Sequence, residues 1–369
     1  MNNIVYIAAA GSGKTTKLIE SSCEVKKDQY VLFLTYTDSN EREIREKFYK
    51  MKGCIPPNVF IQSWFSFLIQ HFIKPYQNYL TDDNYKIEGL AMSHVASKSK
   101  QNFYAIPKED WKRYYFTSQQ RVITEKLSEL AFECNIKSEN RAINRISNIF
   151  ENIYIDEVQD LAGYDFELIR LLFNSNSNVI LAGDPRQMVY KTNHGRKNSN
   201  FKSIIDFLDF NSPSLQFKKD EVSLKKSYRC CSEICDYASL LSPEFPKMES
   251  STNYEGVDCD VFLVKEKDKE NFLKKNNLSM QLRYRIDTKG IEQKFGVMNF
   301  GESKGLTFES VLIYPTAEMK RWVENHEIEL KEETRNKFYV AVTRAKYQVG
   351  IVWNDETCSV KDIDIWKNK

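Results

Sequence analysis

A chain of 369 residues, 41% hydrophobic and 28% charged, has room for two ordinary domains with separate cores and excludes a disordered or fibrous protein. Its net charge of +2 neither demands nor excludes nucleic acid, which a local basic patch can bind. No apolar run approaches the length of a membrane span, and Ile4 to Ala10 lacks the basic leader of a signal peptide, so the expectation is a cytoplasmic protein with no membrane partner.

Taken in order, the chain opens on an apolar run, Ile4-Val5-Tyr6-Ile7, followed at once by Ala8-Ala9-Ala10-Gly11-Ser12-Gly13-Lys14-Thr15-Thr16. A strand, a glycine turn with free backbone N–H groups, a lysine and then a hydroxyl make a phosphate-cradling loop. Ala8 stands where the usual pattern has its first glycine. A helix from Lys14 to Val25 would point its N-terminus at the phosphates. Tyr30 to Thr35 reads as a second strand, Glu41 to Tyr49 as a charged amphipathic helix, and Val59-Phe60-Ile61 as a third strand leading through Gln62-Ser63 into Trp64-Phe65-Ser66-Phe67. Strands alternating with helices predict a parallel α/β sheet with ligands at the strand C-terminal ends.

From about Tyr76 to Phe150 the alternation breaks. Val122, Ile123, Leu127, Leu130 and Ala131, then Ile143, Ile146, Ile149 and Phe150, recur at helical spacing and predict a mainly helical insertion. Between Lys98 and Arg145 it holds ten Lys/Arg against six Asp/Glu. Trp111 to Phe116 mixes cations with aromatics. Such a stretch suits a single-strand binding surface, and equally a helix with a solvated basic face and a buried aromatic one.

The sheet resumes at Ile153-Tyr154-Ile155-Asp156-Glu157-Val158-Gln159-Asp160. Ile153 and Ile155 alternate with Asn152 and Tyr154, as in a strand that delivers two adjacent carboxylates to a cleft. Asp156 can hold Mg²⁺, and Glu157 can orient and deprotonate an attacking water. Val179 to Ala182 is a further strand, ending in Gly183-Asp184-Pro185-Arg186-Gln187. The domain boundary is placed at Ser214, giving domains 1–213 and 214–369. The second half repeats the α/β build without a phosphate loop: strands at Val261–Val264, Val297–Phe300, Val311–Tyr314 and Tyr347–Trp353, and a helix holding Phe338 to Arg344. Of eight cysteines only Cys230, Cys231 and Cys235 cluster. With no second ligand group they are expected to be reduced thiols in a helix rather than a zinc site.

The ordered set resembles the UvrD/Rep-like helicases of superfamily 1 over most of the chain outside the insertion. The carrying stretches are Ala10 to Thr15, Thr35-Tyr36-Thr37, Asp156 to Asp160, Gly183 to Gln187, Ser227-Tyr228-Arg229, Lys304-Gly305-Leu306-Thr307-Phe308 and Tyr339 to Ala345. The resemblance implies two RecA-like P-loop NTPase domains, the first with the helical insertion, that clamp one ATP with Mg²⁺. It implies that Ala10, Gly11, Ser12, Gly13, Lys14, Thr15, Thr16 and Gly305 bind the nucleotide, with Lys14 on the β- and γ-phosphates and Thr15 and Asp156 on the metal. Glu157 would activate water, Gln187 would sense the γ-phosphate, and Arg229 and Arg344 would reach across from the second domain. Thr35, Tyr36, Trp64, Phe65 and Ser66 would contact nucleic acid, with Tyr36 and Trp64 as stacking candidates.

The pattern also departs from the family. Phe65 replaces a histidine, Gly301 stands in place of another, Thr307 replaces a glutamate, and Tyr190 is followed by Lys191-Thr192-Asn193 rather than by an aromatic and an arginine. Only about seventy residues separate Arg229 from Asn299, where longer relatives carry a large extra domain. The expected function is an ATP-driven motor on single-stranded DNA rather than RNA, moving 3′→5′. The alternative is an ATP-gated, nucleic-acid-binding regulatory subunit of a larger complex, for example with a nuclease partner. A P-loop kinase fits poorly with Asp156 to Asp160 and with an arginine-bearing second domain.

Overall fold

The computed structural model describes residues 2–81, 85–91, 106–189, 197–252, 254, 256–275, 279–354, 360 and 363–367. Tyr190 to Asn193 lie outside the described residues. The strands are β1 (Ile4–Ile7), β2 (Val31–Thr35), β3 (Val59–Ser63), β4 (Gly89–Ala91), β5 (Arg121–Ile123), β6 (Asn152–Asp156), β7 (Asn178–Gly183), β8 (Lys218–Asp220), β9 (Lys226–Ser227), β10 (Glu249–Ser250), β11 (Asp260–Lys265), β12 (Ser279–Arg283), β13 (Val297–Asn299), β14 (Phe308–Tyr314), β15 (Ala345–Trp353) and β16 (Asp364–Ile365).

Two six-stranded sheets carry the fold, in the orders β3-β2-β6-β7-β1-β8 and β13-β12-β14-β15-β11-β16. In the first, β2 pairs parallel with β3 and β6, and β6 with β7. In the second, all five pairings are parallel. Parallel sheets are covered on both faces by crossover helices, so their strands are apolar almost throughout. Every residue of β2 and β6 is buried, and so are Val261 to Val264 of β11. Buried Asn3 ties β1 into its sheet: its side-chain amide donates to Phe173 O (3.1 Å) and Gln216 O (3.0 Å) and accepts from Val179 N–H (3.0 Å).

The chain divides into two compact units. One comprises Met1–Val5, Thr15–Gly183 and Lys191–Lys219; the other comprises Tyr6–Lys14, Asp184–Tyr190 and Asp220–Lys369. The phosphate loop up to Lys14 and the turn at Asp184–Gln187 thus pack with the second unit.

The insertion is mainly helical, with helices Trp111–Tyr115, Leu127–Lys137 and Arg141–Ile149. Val122 and Ile123 do not join them. These β-branched residues lie in β5, which pairs with β4 in a two-stranded parallel ribbon, and the long helix starts only at Leu127. Tyr115 and Phe116 are buried, whereas Lys112 and Arg113 are exposed. Arg113 pairs with Asp110 at 2.5 Å. The aromatic-basic stretch is therefore a helix with its aromatics turned inward. Cys230 and Cys231 precede the helix Ser232–Leu240 rather than lying in it, and both are free thiols. Among the described residues, no helix is long and apolar enough to cross a membrane.

Candidate active site

In the first unit, parallel strands bring their C-terminal ends to one edge of the sheet. β2 ends on Thr35, β3 on Ser63, β6 on Asp156 and β7 on Gly183, with Thr35 in register with Ser63 and Asp156 with Ala182. Asp156 is buried, and its Oδ2 accepts from the Thr15 hydroxyl at 2.5 Å. The backbone then turns sharply: Glu157 has φ +58°, and its N–H donates to Asp156 Oδ1 at 2.9 Å. That left-handed residue swings the second carboxylate away from the first. Gln159, also buried, donates its amide to Glu157 Oε2. A Cβ on Gly183 would come within 2.7 Å of both Gln159 Oε1 and Val158 Cγ2, so the end of β7 needs glycine for this turn to pack on it.

Hard divalent cations take oxygen ligands. The Thr15 hydroxyl and the Asp156 carboxylate are such donors, already side by side. Phosphate cradles need inward-facing N–H groups and small residues. Gly11 has φ +71°, and the buried Ser12 hydroxyl has no hydrogen-bond partner among the described residues. The Thr15 and Asp156 oxygens thus fit Mg²⁺, and the turn at Gly11 and Ser12 fits a phosphate. Thr16 follows Lys14 and Thr15 in the first turn of the helix Lys14–Cys23.

In the second unit the phosphate loop meets the segments that carry the two arginines. Ala9 N–H donates to Leu224 O (2.8 Å), and Gly11 O accepts from Tyr228 N–H (2.9 Å). A Cβ on Gly11 would lie 2.7 Å from Arg229 Cβ and 2.8 Å from the Ser227 hydroxyl. Arg229 donates from Nη1 to Thr343 O at 3.2 Å. Arg344 is 1% exposed and donates to Gln187 Oε1 (3.3 Å), Thr343 Oγ1 (3.2 Å) and Leu306 O (3.3 Å). Gln187 in turn donates to Asp184 Oδ2 at 2.9 Å. Arg229 and Arg344 are therefore joined through Thr343, and Gln187 is bonded to Arg344 directly. Gly305 sits in an exposed turn next to Leu306.

Tyr339, Asp184 and Arg186 complete this network, and sequence reasoning passed over them although each lies inside a motif stretch. The Tyr339 hydroxyl accepts from Ala10 N–H at 3.2 Å and donates to Asp184 Oδ2 at 3.1 Å. Arg186 binds Asp184 Oδ1 (2.8 Å) and Ala8 O (2.9 Å), and its guanidinium lies 5.1 Å from the Tyr339 ring centre. Burial pushes the Tyr339 hydroxyl well above its ordinary range, so it keeps its proton. The Asp184 charge raises the Arg186 pKa against the opposing effect of burial, so the guanidinium stays charged.

The residues expected to contact nucleic acid differ in access. Tyr36 is half-buried and packs edge-on against Phe65 with ring centres 5.6 Å apart. Among the described residues, the buried Thr35 hydroxyl has no hydrogen-bond partner. Ser66 accepts from the Ser63 hydroxyl at 3.0 Å. Trp64, expected as a stacking candidate, is 1% exposed, and its indole N–H donates to buried Asp165 Oδ1 at 2.7 Å, which leaves no ring face for a base in this conformation.

The chain matches the UvrD/REP helicase N-terminal domain over residues 61–207 and the UvrD-like helicase C-terminal domain over residues 222–356. It is 22% identical to a probable DNA helicase of Mycoplasma pneumoniae, over 95% of this chain and 80% of that protein. It is 28% identical to the Gabija protein GajB of Bacillus cereus, over 66% of this chain and 47% of that protein. It is 23% identical to DNA helicase II of Salmonella typhimurium, over 65% of this chain and 38% of that protein. Apart from the M. pneumoniae protein, the chain spans less than half the length of the curated relatives it matches. The arterivirus nonstructural protein 10 helicase superposes over 95% of this chain and 59% of its own, at 13% identity and a TM-score of 0.48, a likeness too loose to bear on function. With two helicase domain matches in chain order and two parallel α/β sheets, this chain belongs to the UvrD/Rep-like helicases and is built on two RecA-like domains.

Proposed function

We propose that this chain hydrolyses ATP to drive its own movement along single-stranded DNA in the 3′→5′ direction, with a domain boundary near Ser214. The observation that carries the proposal is the Thr15 hydroxyl held on Asp156 with Glu157 turned away beside it, two carboxylates with separate work. Lys14 and the amides of Ala10 to Gly13 hold the phosphates, with Thr16 and Gly305 alongside. Thr15 and Asp156 hold Mg²⁺, which when bound neutralises charge on the phosphate oxygens. Glu157, oriented by Gln159, takes the proton of the attacking water. Gln187 senses the γ-phosphate. Arg229 and Arg344 stabilise the charge that develops on the transferred group. Because Gln187 and Arg344 share a hydrogen bond, a nucleotide that engages one must disturb the other. Tyr36, Phe65 and Ser66 line the path of the strand, with Thr35 buried.

The test is steady-state ATP hydrolysis by wild type and Glu157→Gln, with and without single-stranded DNA. Stimulation by DNA that is lost in the variant is expected, with turnover reduced at least about 100-fold. Undiminished turnover in folded Glu157→Gln would remove Glu157 as the base. Hydrolysis indifferent to DNA would favour the second reading, an ATP-gated regulatory subunit working with a protein partner such as a nuclease. The enclosed Trp64 ring and the short stretch between Arg229 and Asn299 are the features that favour that reading.

A further inference from the structure

Cys231, Glu233 and Cys259 come together at the start of the helix Ser232–Leu240. The two sulfurs and a Glu233 carboxylate oxygen all lie within 4.8 Å of one another. The sequence hid this site, because Cys259 stands alone and its partner is one of the Cys230–Cys235 cluster. The fold holds both arms on β15. Cys231 N–H donates to Lys346 O (3.0 Å), and the Cys231 thiol donates to Tyr347 O (3.5 Å). On the other side, Gln348 Nε2 donates to Asp258 O (2.8 Å), and Asp260 pairs in register with Gln348. The ligand atoms are therefore set by backbone anchored to a central strand, as a preorganised site requires.

The chemistry of the cluster favours a soft divalent cation. Tetrahedral thiolate–zinc bonds of about 2.3 Å place two sulfurs about 3.8 Å apart, so the observed spacing needs at most about 1 Å of closure. Cys231 is the N-cap of the helix Ser232–Leu240, so it sits at the positive end of the helix dipole.

We propose that Cys231, Cys259 and Glu233 bind one thiophilic divalent cation of the zinc class, with a fourth position left to solvent. Two thiolates among three ligands discriminate against Mg²⁺, so this site is chemically separate from the one at Thr15 and Asp156. Cys231 lies two residues after Arg229, so the cation would fasten the arginine-bearing segment to Cys259, immediately ahead of β11.

The test is titration of the reduced, metal-free chain with Co²⁺ under anaerobic conditions, followed by displacement with Zn²⁺. One Co²⁺ per chain is expected, with a near-ultraviolet sulfur-to-cobalt charge-transfer band and the intense visible bands of a tetrahedral ion. Cys259→Ser and Cys231→Ser should each weaken binding by more than about tenfold. Cys259 is partly exposed, so its variant is expected to fold even if Cys231→Ser does not. Glu233→Gln should weaken binding without abolishing the sulfur band, and Cys235→Ser should leave both unchanged. Absence of the band at one equivalent of Co²⁺ would overturn the proposal. So would a band that survives in Cys259→Ser.

Discussion

Tyr339 shows how one hydroxyl can serve three segments distant in sequence. It touches the Ala10 amide, the Asp184 carboxylate and Met248 Sδ (3.0 Å), while its ring receives the Arg186 guanidinium. Tyr339→Phe keeps the ring and removes the hydroxyl. Asp184 retains Arg186 and Gln187, but the Ala10 N–H loses its protein partner. The expected cost is about 1–3 kcal/mol of stability, read as a lowered denaturant midpoint at unchanged slope. A loss below about 0.5 kcal/mol would mean that the hydroxyl carries little of the network. The phosphate loop was legible because its chemistry sits in nine consecutive residues, each with a separate reason to be there. Tyr339 was not, because its partners lie 155 and 329 residues away and tyrosine in a helix is otherwise ordinary. Cys259 was hidden for the same reason. The Trp64 indole could have been read either way, and only the buried Asp165 beside it decides the matter.

At the scale of elements, the alternation of strands and helices survived well, with ends moving by a few residues. The predicted helix Glu41 to Tyr49 is longer, Asp38–Lys52, because Thr37 caps it by accepting from Asn40 N–H and Gly53 closes it at φ +77°. What pattern alone could not supply was the polar fastening between elements. Asp165 joins three segments, accepting from Trp64 Nε1, from the Ser128 hydroxyl and from Ala162 N–H, and burial raises its carboxyl. His71 is the second such fastening. It lies in the π-helical turn Leu68–Ile73, its Nδ1 faces Arg145 Nη2 at 3.3 Å, and burial followed by the Arg145 charge lowers its pKa from 6.5 to about 4. The folded chain thus binds that proton less readily than the unfolded chain does. The His71 contribution is fully present above pH 6.5 and is lost as the pH falls toward about 4. Denaturant unfolding across that window should show stability declining with acid, and His71→Gln should flatten the decline. An identical pH profile in the variant would refute this assignment.

For the whole molecule, a net charge of +2 gives no global attraction to DNA, so binding must come from local contacts with phosphates. Those contacts displace counterions, and affinity for single-stranded DNA should fall steeply and linearly on a log–log plot against salt. Fluorescence anisotropy between about 50 and 200 mM salt should show a loss of at least about tenfold if three or more phosphates are neutralised. A flat response would argue against a groove that tracks the backbone.

The place of β1 has a further consequence, for the order in which the molecule can be made. Its neighbours in the sheet are β7 and β8, and Asn3 is fastened to residues as distant as Gln216. Once made, β1 must therefore wait for about two hundred further residues before its partners exist. Contacts between segments this far apart form slowly, and unpaired apolar strands are exposed to association while they wait. Ile4 to Ile7 is such a strand, and the phosphate loop hangs from its end. Nascent chains that stop short of β8 would carry every residue of that loop with no completed sheet to hold it, so nucleotide retention on stalled chains would date the closing of the first sheet.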